Sequence, residues 1–150
     1  KRWQRLVASD ADVQTFIEFH SCHKFQLMAR GSSYYQELGR MVAGTTKQDL
    51  KARRDAYISR FMQVMALRSE RGRQVNVLQH IMGYLKEAIS SEDKKELLSI
   101  FEAYRASQMP LITALTLLRH HLRKYPQQFI DKQHYLMPYP DALASRSNVY

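Results

Sequence analysis

The chain has 150 residues, 45% of them hydrophobic, a single cysteine and a formal net charge of +9. That length suits one domain with a real core, and no apolar run approaches the ~20 residues of a membrane-spanning helix. Lone Cys22 excludes an internal disulfide framework, and the basic balance favours polyanionic partners, nucleic acid before an anionic membrane surface.

Residues 1–9 read as a basic lead-in carrying the only tryptophan, Trp3. They show no signal-peptide pattern, which together with the single cysteine points to a reducing cytoplasm. The missing initial Met suggests an excised domain or a trimmed chain. Ser9 or Asp10 caps a helix expected to run to about Ala29. Its apolar stripe of Val13, Phe16, Ile17 and Leu27 is interrupted by His20 and Lys24, one turn apart. A basic pair there must be partnered or line a cavity; a satisfied core histidine beside a lysine reaching outward is the ordinary alternative. Arg30-Gly31 ends that helix, Ser32 or Ser33 starts a short one to about Ala43, and Gly44 stops it. Thr45 or Thr46 opens a long basic helix to about Arg68, with Leu50, Tyr57, Phe61, Val64 and Met65 inward and Lys47, Lys51, Arg53, Arg54 and Arg60 outward.

The most informative stretch is 76–86, NVLQHIMGYLK. At ~100° per residue, Val77, Leu78, Ile81, Met82, Leu85, Ala88 and Ile89 make one apolar stripe, while Asn76, Gln79, His80, Gly83, Lys86 and Glu87 share the other side. A glycine within a helix costs roughly 1 kcal/mol against Ala, so Gly83 suggests close approach by another helix or a ligand, unless it is one tolerated glycine on a solvated face. Ser90 or Ser91 caps the next helix, with Glu92 and Asp93 in its first turn. Pro110 starts another, carrying Leu111, Leu115, Leu118 and Leu122 inward. Pro126 closes it. A short helix over 127–133 precedes an extended tail over 134–150. The periodicity throughout predicts an all-α single compact domain of about six or seven helices.

Six histidines invite a metal reading, with His20 and His23 three apart and His80, His120 and His121 further on. No closed Cys/His ligand spacing appears, so neither a metal nor a cofactor is expected.

Several motifs together, FHSCHKFQLMA (19–29), YYQELGRMVA (34–43), NVLQHIMGYLK (76–86), AYRASQMPLITALTLLRHHL (103–122) and QHYLMPYP (133–140), resemble the YbgA-like bacterial family of helical domains of unknown function. The family pattern falls on His20, Lys24, Leu38, Gly39, Asn76, His80, Gly83, Tyr84, Tyr104, Arg105, Pro110, Leu111, Gln133, Tyr135 and Pro138. This chain departs from it at Arg30-Gly31-Ser32, where a histidine-serine pair is usual, and at Ala114, where proline is. The resemblance implies a domain found alone or fused to an iron–sulfur, thiouracil-desulfidase-like domain, helping it engage thiolated tRNA. One cysteine cannot itself hold such a cluster.

The resulting expectation is a non-catalytic RNA-binding domain, for tRNA, associated with thiouridine desulfidation. Lys24, Arg40, Lys86, Arg119 and Arg146 would contact phosphate. Asn76, His80, Gln133 and Tyr135, with Gly83 between them, would line the ligand surface. Two alternatives stand: an enzyme whose pocket of His20, Lys24, Asn76 and His80 acts on a nucleotide-like small molecule, and a protein-interaction domain holding a partner subunit.

Overall fold

The computed structural model describes Gln4, Leu6 and residues 12–137. Among them, eight α-helices and one 3-10 turn occur and no strand. They are α1 (Val13–Cys22), α2 (Lys24–Met28), α3 (Ser32–Val42), α4 (Leu50–Met65), α5 (Arg71–Gly83), α6 (Ser91–Arg105), α7 (Leu111–Lys124) and α8 (Gln128–Asp131), then the 3-10 turn His134–Leu136. The all-α expectation holds. Helices gather into two compact units, residues 1–68 and 69–150.

In the first unit, the helix expected to run unbroken to Ala29 breaks at His23, which joins α1 to α2. The His23 backbone leaves helical geometry (φ −108°, ψ 13°), and its Nδ1 lies 2.7 Å from the Phe19 carbonyl. Asp12, two residues beyond the expected cap, caps α1 by accepting from the Thr15 N–H at 2.8 Å. Gly31 precedes α3 with φ 152° and ψ 134°, a conformation that only glycine adopts readily. Helices α1, α2 and α4 all pack on this unit's core with α3. The core is largely rings: Phe16 stands edge-on to Tyr57 at 5.0 Å, Phe19 to Phe61 at 5.2 Å, and Tyr57 stacks on Phe61 at 5.9 Å. Leu6, Leu27, Leu38, Val42 and Val64 fill the space around them.

In the second unit α5, α6 and α7 pack against one another. Ser90 caps α6 as expected, accepting from the Asp93 N–H at 3.0 Å. The end of α6 is a Schellman cap: the Gln108 N–H donates to Ala103 O at 2.8 Å and the Ser107 N–H to Tyr104 O at 3.0 Å. Ser107 occupies its left-handed position, with φ 64°. Pro110 takes the expected place at the head of α7. The regular part of α5 stops at Gly83, three residues short of Lys86. It continues as tight turns, Leu85 donating to Met82 O at 2.8 Å and Ala88 to Leu85 O at 2.9 Å, which keep Leu85 and Ile89 buried. Of the expected extended tail, 134–136 instead form the 3-10 turn; Trp3 and residues 138–150 lie outside the described residues.

Candidate functional site

Helix α1 brings His20 inward among the aromatic side chains of the first unit. Its Nδ1 lies 2.9 Å from the Tyr57 hydroxyl, and its ring stacks on Tyr35 at 4.7 Å with the planes 5° apart. Burial pushes the imidazole down to about 4, so the ring is uncharged at neutral pH. The same burial pushes the Tyr57 hydroxyl well above its ordinary range. His20 is thus the satisfied core histidine, with one edge unaccounted for. Beside that edge is a pocket of about 370 Å³, walled by Val13, Ile17, Val42, Tyr35 and Gly39. A Cβ built on Gly39 would stand 3.2 Å from His20 Nε2. Lys24 does not line this pocket. Its ammonium lies 5.7 Å from the ring centres of both Phe25 and Tyr35.

The second unit carries the polar stripe of α5. Val75, Val77, Leu78 and Ile81 are buried, whereas Asn76, Gln79, His80 and Gly83 are exposed, as are Tyr84 and Lys86 in the turns that follow. The division of faces read from periodicity is observed. The close approach inferred at Gly83 is not: a Cβ there would meet nothing within 4 Å, because this glycine ends the helix on its open side. His20 and Lys24 belong to the first unit, Asn76 and His80 to the second.

Two residues expected at the ligand surface are in the core instead. Gln133 is 1% exposed and Tyr135 4%. The Tyr135 hydroxyl donates to Gln74 Oε1, and Gln74 Nε2 donates to Ser69 Oγ at 2.9 Å. This buried chain satisfies groups that would otherwise need solvent. Arg119, expected to contact phosphate, is half-buried and reaches the Leu136 carbonyl at 3.4 Å, holding the end of the described chain to α7. Arg40 is exposed on α3. Arg146 lies outside the described residues.

The basic face of α4 is partly neutralised. Arg60 grips Glu37 through both Nε (2.6 Å) and Nη2 (3.0 Å), which holds the Glu37 carboxyl below its usual value. Arg53 pairs with Asp49 at 3.0 Å. Lys51, Lys86, Arg123 and Lys124 are exposed and enter no ion pair among the described residues. Neither ring nitrogen of buried His121 has a hydrogen-bond partner among the described residues. No group of three His, Cys, Asp or Glu side chains there is placed to hold a metal ion. No described helix is long and apolar enough to cross a membrane.

Residues 24–140 match the model of a family described as "Protein of unknown function (DUF1722)". The chain belongs to this family. It is also 26% identical, over 131 residues, to the "Uncharacterized protein YbgA" of Escherichia coli strain K12, covering 87% of this chain and 78% of that protein. No solved structure matches. The stretch shared with the DUF1722 family takes in Gly39, the whole of α5 and the Gln74–Tyr135 pair, and begins four residues after His20. Sequence reasoning marked His20 but not the hydroxyl that holds it. Tyr57 reads as one more core aromatic, and its partner is 37 residues away.

Proposed function

We propose that this DUF1722 domain is a non-catalytic RNA-binding module, tRNA being its expected class, which presents RNA to a desulfidase-type enzyme domain fused to it or acting in trans. The observation that carries the reading is the solvent-facing stripe of α5 and its following turns. Amide and imidazole groups at Asn76, Gln79 and His80 can read unstacked base edges, and Tyr84, 42% exposed, offers a ring for stacking. Lys86 supplies a cation for phosphate, and bare Gly83 lets a nucleotide approach the backbone. The overall +9 charge adds sequence-independent attraction.

Filter binding of tRNA over a range of salt concentrations tests this. Affinity should fall steeply with salt as counterions are released. Lys86→Ala should weaken binding to many RNAs alike and flatten the slope by about one unit. Asn76→Ala and His80→Ala should instead change the ranking of RNAs. Arg119 is a poor probe, because its loss would also disturb the bond to Leu136; Arg123→Ala replaces it. No tRNA binding at low salt would overturn the proposal.

A further inference from the structure

The pocket of the first unit has a chemistry of its own, independent of the RNA reading. The Tyr57 side chain is fully buried, and among the described residues its hydroxyl has one hydrogen-bond partner, His20 Nδ1. A phenol has a single proton to donate. Were Nδ1 the donor, that proton would be buried without an acceptor, a costly arrangement. The phenol therefore donates to Nδ1. A neutral imidazole whose Nδ1 accepts must carry its proton on Nε2. Nε2 makes no hydrogen bond among the described residues and is not sealed from solvent.

Gly39 is what leaves that N–H accessible. It sits inside α3, where alanine would favour the helix by roughly 1 kcal/mol, yet an alanine Cβ would lie 3.2 Å from Nε2, tighter than an ordinary contact. Tyr35, stacked on the imidazole face, fixes the direction of the N–H. The remaining walls combine aliphatic Val13, Ile17, Val42 and Ala43 with the hydroxyl-bearing Ser21 and Thr45, and no charged side chain among the described residues lines the pocket. Its volume of about 370 Å³ falls within the range of small-molecule sites.

We infer that the His20 pocket is a binding site for a small uncharged molecule that offers a carbonyl-type acceptor to His20 Nε2–H. An ionised ligand would lose its water with no counter-charge in return, so a neutral acceptor outcompetes a charged one.

The test uses the 15N-labelled full chain and the long-range proton–nitrogen couplings of its histidine rings. His20 should show a protonated Nε2 and an unprotonated Nδ1; the reverse tautomer overturns the inference, and this arm needs no variant. Titration with 2-pyrrolidone, an uncharged lactam, should move the His20 ring signals saturably. Acetate, the charged counterpart, should bind at least about tenfold more weakly. Gly39→Ala should weaken 2-pyrrolidone by about tenfold, the factor that one lost hydrogen bond carries in affinity. Absence of a saturable shift, equal binding of acetate, or undiminished binding to a folded Gly39→Ala protein would each overturn it.

Discussion

His20 should make the stability of the protein fall as the solution is acidified. In the unfolded chain its imidazole titrates near the ordinary 6.5; in the folded protein, burial holds it down to about 4. Above 6.5 both states are neutral and the residue contributes no pH dependence. Between 6.5 and 4 the unfolded state takes up a proton that the folded state refuses, so acidification favours unfolding. Each pH unit in that window is worth about 1.4 kcal/mol for one proton, giving about 3 kcal/mol in all. Domains of ordinary stability have about 5–15 kcal/mol to lose. The assay is urea unfolding followed by far-ultraviolet circular dichroism, from about pH 7.5 to about pH 4.5, on wild type and His20→Gln. Glutamine keeps an acceptor for the Tyr57 hydroxyl but does not titrate. Carboxylates and the other histidines contribute to both curves and cancel in the difference. The wild-type curve should drop about 3 kcal/mol further than the variant's. Parallel curves would refute the reasoning and mean that folding leaves the proton affinity of the His20 imidazole unchanged.

Ser107→Gly should stabilise the second unit by about 0.5–1 kcal/mol, because glycine removes the Cβ strain of a left-handed cap position; at this chain length thermal melting should register it as a rise of about 1–4 °C. Tyr135→Phe should cost about 1–3 kcal/mol by leaving the buried Gln74 Oε1 without its donor, and an unchanged melting temperature would contradict the burial of that pair. Dialysis against a chelator should leave the melting temperature unchanged, since the described residues hold no three-ligand group; a large drop together with stoichiometric metal in the purified protein would refute this.

What could be read from the sequence was local. Ser90 before Glu92 and Asp93, and Pro110 ahead of an apolar run, declare helix starts through chemistry that acts within one turn. The faces of α5 were legible because 3.6-residue periodicity sorts them directly. The break at His23 was not, since neither glycine nor proline marks it. It depends on an imidazole bonding back to the carbonyl of Phe19. The burial of Tyr135 was hidden for a different reason: its partner Gln74 is 61 positions away, and polar residues look exposed until their partners are known. Arg60 likewise looked like solvated charge, although Glu37, 23 positions earlier, holds it by two bonds. At the site, His20 stood out by its type among apolar neighbours, but its tautomer required the Tyr57 hydroxyl.

The ring core of the first unit bears on how such a sequence can change over time. Tyr57 alone meets Phe16, Phe19, His20 and Phe61, and His23 and Tyr35 extend the set through Phe19 and His20. In a close-packed interior, replacing one ring alters the space left to each of its neighbours. The effects of such replacements do not add. A single exchange is therefore penalised until a second compensates it, and the accessible routes pass through paired substitutions. These seven positions should be inherited as a block: relatives ought to match this chain at nearly all of them, or to differ at several together.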